Sequence, residues 1–220
     1  MKLLIENWRE YLNENENAIR GTVPYTQEVL NTIVGRLAEN GAANLTDHTA
    51  GHVSSRSFKK FDPSKTGANT AEGEHGGGKY NLDSYFGPMF GLDKKNLSDP
   101  DHIKSLGGKY MLTVKLNGKY LKMNIDHLVH YFPQSVRDPN NPSQKINTSI
   151  PMTQSIQEFK KILEKAGFDG IWWSNPGRMT KTGKLALTSN AISVFDPAKN
   201  VEITAIRNLS TGQEEWRKQK

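Results

Sequence analysis

From Ala43 onward the chain stops repeating its apolar residues at helical spacing and turns to short alternating runs set between long glycine-rich loops. That change restricts the fold more than any other feature. Strands are expected over residues 44–49, 170–173 and 201–206, and a hairpin over 109–116 and 119–124 across Asn117-Gly118, a pair of residues that favours a tight turn. The stretch SNAISVFDPAKNVEI reads as a strand, a turn and a second strand, the first ending at Asp196-Pro197 because proline cannot donate to a ladder. Helices are expected over 26–40, stopping at Gly41, over 125–132, and over 153–166, stopping at Gly167. Residues 53–78 read as a polar loop pinned by Phe58 and Phe61, and 133–150 as a proline- and asparagine-rich excursion. Runs of strand with few, separated helices predict an α+β fold with an antiparallel or mixed sheet, not a βαβ repeat.

At 220 residues the chain suffices for one principal domain. The expected division is a helical segment over 1–42, the principal domain over 43–208 and a solvated tail over 209–220. Leu3, Leu4, Trp8, Tyr11 and Leu12 fall at helical spacing, so the first helix is amphipathic and needs a surface or a partner. The formal charge of +6 draws the chain toward polyanions: nucleic acid, acidic proteins or a phosphate-bearing cofactor. It contains no cysteine, hence no disulfide framework, and no apolar run long enough to span a bilayer. Glu6, Arg9 and Glu10 interrupt the N-terminal apolar run, unlike a secretory signal. A cytoplasmic or virion location is expected, with no membrane partner. Leu4-Ile5-Glu6 also resembles the L-x-E processing site of internal head proteins in large tailed phages, although a packing helix is the simpler reading.

Three segments carry the residues suited to chemistry: LTDHTAGHVSSRSFKKFDPSKTG at 45–67, GEHGGGKYNLDSYFG at 73–87, and AGFDGIWW at 166–173 followed by SNAISVFDP. His48 offers one donor and one acceptor as a neutral imidazole. The glycines through Gly78 let backbone approach a ligand, and Tyr80 or Tyr85 can lay a ring against a planar group. Gly76-Gly77-Gly78 lacks the spacing of a Rossmann fingerprint. Asp126, His127 and His130 make a poor zinc set, so no metal is expected.

Taken in order, the segments resemble the ADP-ribosyltransferase superfamily, particularly its toxin-like and phage-associated members, over roughly residues 44–206. The likeness lies in a strand ending in a His-Thr or His-Gly pair, a loop S-x-x-F-x-x-F-D-x-S-K-x-G, a Gly-x-Gly-x-Tyr-Phe-like segment, a G-[FY]-D-G-I strand and a closing strand before V-F-D-P. It implies a split, mainly antiparallel sheet whose cleft binds NAD as co-substrate. His48 with Thr49 beside it would bind NAD, and Tyr80 or Tyr85 would stack on nicotinamide. The glycine segment departs from the family pattern, with YNLDSYFG where Tyr-Phe-Ser or Tyr-Phe-Thr would follow the glycines directly.

The resemblance also implies a catalytic glutamate just before V-F-D-P. Positive charge grows on the ribose as nicotinamide leaves, and a carboxylate there acts mainly on the transition state. Counting back, that position is Ala191, which has no charge and no acceptor; the neighbouring Asn190 can hydrogen-bond a ribose hydroxyl but cannot stabilise a cation comparably. The expectation is an ADP-ribosyltransferase acting on a protein or a nucleic acid (RNA or DNA), impaired in this sequence. Either the chain is an inactive natural relative, or a natural SNEISVFDP was altered to spare an expression host. The alternative is a nucleic-acid-binding or phage-head structural protein that keeps the fold without catalysis.

Overall fold

A computed structural model describes residues 24–62, 85–92, 108–133, 135–137, 141, 143–174, 178–179, 185–186 and 190–219. Tyr80, Gly78 and the first amphipathic helix lie outside them. In chain order the elements are α1 (Gln27–Ala38), β1 (Ala42–Ser54), β2 (Met89–Gly91), β3 (Tyr110–Met123), α2 (Ile125–Tyr131), β4 (Ser135–Arg137), β5 (Lys145–Asn147) and α3 (Ser149–Lys165). They continue with β6 (Gly170–Trp173), β7 (Arg178–Met179), β8 (Leu185–Ala186), β9 (Ala191–Val194), α4 (Pro197–Asn200), β10 (Val201–Asn208) and β11 (Glu214–Arg217). The fold is α+β, as the sequence predicts.

The chain divides into two compact units, one of residues 1–36 and 126–162, the other of residues 37–125 and 163–220. This differs from a helical segment ending at 42, because residues 126–162 join the first unit. In that unit Tyr25 N–H donates to Ser155 Oγ at 2.8 Å and the Tyr25 hydroxyl donates to Tyr131 O at 2.7 Å. The Tyr25 ring lies 5.8 Å from Phe132, which lies 5.2 Å from Phe159. Met152, Ser155, Ile156 and Phe159 follow the 3.6-residue period on α3 and are buried. The helix ends by geometry: Gly167 takes φ 79°, its N–H bonds Glu164 O, and Phe168 N–H bonds Leu163 O, a Schellman closure that satisfies the last carbonyls.

The second unit holds a seven-stranded sheet in the order β1-β2-β9-β6-β3-β10-β11, in which β1 also pairs with β3. Five strands therefore close into a barrel, with β10 and β11 continuing outward from β3. The ladder is antiparallel except between β3 and β6. β3 is the fork: one edge carries β1, while the other carries β10 along its first half and β6 along its second. The core between these walls contains Ala50, Phe90, Leu112, Val114, Leu116, Tyr120, Ile192, Val194, Ile203 and Ile206.

The expected hairpin at Asn117-Gly118 does not form, for β3 runs through both residues. Thr46 and Asp47 on β1 oppose the single Asn117 on β3, a bulge between the pairs Leu45 with Gly118 and His48 with Leu116. Asp47 (φ 51°) and Gly118 (φ 131°) take the positive φ that this kink requires, and Asn117 Oδ1 accepts from Asp47 N–H at 2.9 Å. An Asn-Gly pair signals a need for positive φ, which a bulge satisfies as well as a turn.

Two other expectations change. β1 is longer than residues 44–49 and reaches Ser54, and the segment expected as a tail contains β11, which pairs with β10 and sets Trp216 against the core. The turn after Phe195 is a short helix, α4, because Asp196 Oδ1 accepts from Ala198 N–H and Lys199 N–H while Pro197 occupies the first turn.

Candidate functional site

β1, β6 and β9, which carry motif segments far apart in sequence, lie in one wall in the order β1-β2-β9-β6, and β2 begins two residues after the segment that ends at Gly87. β1 and β2 meet at one pair, Gly51 with Gly91. The same row continues to Ala191 and Trp173. Residues paired in a row point to one side of a sheet, and neighbours along a strand point to opposite sides.

That rule separates the two residues expected to share a cleft. His48 alternates in phase with Ala50 and His52 and pairs with Leu116, so it faces the enclosed side where Ala50, Leu116 and Ile192 meet. Ala191 is in phase with Gly51 and Trp173 and faces the other side, where it is 8% exposed. A single cleft lined by His48 and Ala191 is therefore not what the register gives. Asn190 alternates with Ala191 and falls on the histidine side; its backbone O accepts from Leu92 N–H at 2.9 Å, and its side chain is exposed. Thr49 is exposed and pairs with Lys115, away from the core.

His52 is the residue that the sequence reading passed over. β1 ends at Ser54, so His52 and not His48 is the histidine nearest the strand's end. Its Nδ1 donates to Met89 O at 2.9 Å, which fixes the hydrogen on Nδ1 and leaves Nε2 as an acceptor. Burial pushes its pKa below the ordinary imidazole value, and the bond to Met89 only partly opposes this. Phe61 and Phe90 stand 5.9 and 5.3 Å from its ring, and Phe58 packs on Phe61 at 5.0 Å. The two phenylalanines of the FKKF loop thus pin that loop to the core. Tyr85 is half-buried beside Phe86, and Phe86 is buried 5.6 Å from the Trp173 ring.

The aspartates of the remaining motifs hydrogen-bond groups of neighbouring segments. Asp169 of GFDGI accepts from Lys119 N–H at 2.9 Å and from Asn200 Nδ2 at 3.1 Å, and it pairs with Lys199 at 3.3 Å. Burial, with the Asp169 charge nearby, raises the Tyr120 phenol above its usual range. Gly170 admits no side chain, because a Cβ would overlap Ser193 O. Trp173 Nε1 donates to Ser193 Oγ at 2.8 Å, so both buried polar atoms have a partner.

Among the described residues no group of three His, Cys, Asp or Glu is placed to hold a metal ion, and no helix is long and apolar enough to cross a membrane. Cations on the sheet's outward side are interspersed with acids: Lys115 pairs with Asp47, Arg217 with Glu214 and Lys218 with Glu202. No protein-family model, curated protein or solved structure matches the chain. Fold and site thus define an α+β protein with a closed five-stranded barrel and a histidine-bearing, aromatic-lined wall.

Proposed function

We propose that the chain is an ADP-ribosyltransferase-like domain that takes NAD as co-substrate where β1, β2 and β9 meet. The observation that carries this reading is that the three motif-bearing strands β1, β9 and β6 share one wall, with only β2 between β1 and β9, since distant segments that share one wall are expected when they serve one ligand. In this reading the histidines of β1 hold the ribose and nicotinamide amide. His52 is the one with a defined tautomer, and His48 stands on the same side. Tyr85, at the start of β2's approach, offers the ring for stacking. The start of β9 is where a carboxylate would face the cation that develops as the glycosidic bond to nicotinamide breaks. Ala191 holds that place by motif count and Asn190 by side of the sheet, and neither carries a charge. The present chain therefore binds NAD and turns it over slowly.

The acceptor is a protein or a nucleic acid. Among the described residues the cations Lys115, Arg217 and Lys218 of the outward sheet face are each paired with an acid, which weakens their pull on a polyanion. The test is release of nicotinamide from NAD by the unaltered chain, Ala191→Glu and Asn190→Glu, with cell extract or RNA as acceptor. One glutamate variant is expected to be faster by roughly a hundred- to a thousandfold, the worth of one electrostatic group in a comparable site. If both variants stay silent while NAD is bound, the chain is a structural relative that keeps the fold without the chemistry.

A further inference from the structure

We propose that Asp169 is the positioning residue of this site: its one carboxylate holds the kink in β3 that seats the β1 bulge beside His48, and ties to it the segment following β9. The inference rests on the reading of β1 and β9 as walls of the NAD site, and the geometry comes from β1, β3, the residue before β6 and the segment after β9. Asp169 Oδ2 accepts from Lys119 N–H at 2.9 Å, and Asp169 N–H donates back to Lys119 O at 2.7 Å. The carboxylate lies against Gly118, where a Cβ would stand 2.8 Å from Oδ2, so the kink and the acid occupy one fitted space.

On the far side of that kink, Asn117 Oδ1 accepts from Asp47 N–H, the residue before His48. Toward β9, Asp169 O accepts from Phe195 N–H at 3.0 Å, and Oδ1 accepts from Asn200 Nδ2, whose residue is buried at the end of α4. The chain of contacts runs from His48's neighbour through Asn117, Gly118 and Lys119 to Asp169 and on to the α4 segment after β9. Removing the carboxylate leaves Lys119 N–H and Asn200 Nδ2 without their acceptor and releases the kink.

The experiment compares the unaltered chain with Asp169→Ala, Asp169→Asn and a core deletion in the other unit, Ile162→Val. NAD affinity is measured by calorimetry, and the Asp47 amide and His48 ring are followed by NMR. Asp169→Ala should shift both signals and weaken NAD binding by about tenfold or more, as misplacement of a positioned group does. Asp169→Asn, which keeps an oxygen for Lys119 but offers an amide nitrogen toward Asn200, should fall between. Ile162→Val should move neither. Asp169→Ala with unmoved Asp47 and His48 signals and undiminished NAD affinity overturns the proposal alone. An unaltered chain that binds no NAD overturns it together with the reading on which it rests.

Discussion

Ala191 stands directly across from Trp173 on the neighbouring strand, on the side of the sheet away from His48 and His52. A carboxylate placed there loses most of its water, and the Trp173 N–H nearby is already committed to Ser193. Ala191→Glu is therefore expected to lower stability by about 1–3 kcal/mol, whereas Asn190→Glu, at an exposed position, should change it little. Burial raises the new carboxyl's folded pKa above its unfolded value. The penalty is then absent at pH below the unfolded value and grows as pH rises through the folded one. Urea midpoints for the variant and the parent at acidic and neutral pH check this, and a gap that does not widen with pH would mean that the side chain escapes to water.

The buried hydrogen bond between Trp173 and Ser193 can be tested by deleting its acceptor. Ser193→Ala leaves the indole N–H unpaired in a buried place and should cost about 1–3 kcal/mol. Tryptophan fluorescence in a urea titration measures the loss. A variant as stable as the parent would show that another acceptor takes over.

His52 gives the chain a definite response to acid. Its folded pKa lies below the ordinary value of 6.5, so the folded state resists a proton that the unfolded state accepts. The stability it contributes is complete above the ordinary imidazole range and is lost as pH falls through that range toward the depressed folded value. His52→Gln should flatten this part of the curve. Denaturation midpoints from slightly alkaline to mildly acidic pH provide the comparison, and identical slopes in both proteins would contradict the assignment.

Local signals in the sequence translate directly into structure where the cause is local. Gly41 and Gly167 take positive φ just past α1 and α3, and β6 spans the four residues expected of it. The errors arise where a signal has two structural outcomes. Asn117-Gly118 reports only that positive φ is needed, and its partner is Asp47, 70 residues away, so the choice between hairpin and bulge depends on long-range pairing. The charged run at 214–217 reads as solvated because an edge strand is exposed on most sides, while Trp216 alone reaches the core. The site follows the same pattern. The strands β1, β9 and β6 share one wall, but the side on which His48 and Ala191 face depends on register through Gly51 and Gly91, which no motif encodes.

Binding of NAD to the unaltered chain tests the central claim most directly, because it requires neither an acceptor nor a catalytic carboxylate. A ligand that prefers the folded state raises its apparent stability by mass action. Thermal unfolding with increasing NAD should show a saturable rise in midpoint, diminished by His52→Ala or His48→Ala more than by Tyr85→Ala. A midpoint that does not move at millimolar NAD would contradict the account and leave the chain a structural protein.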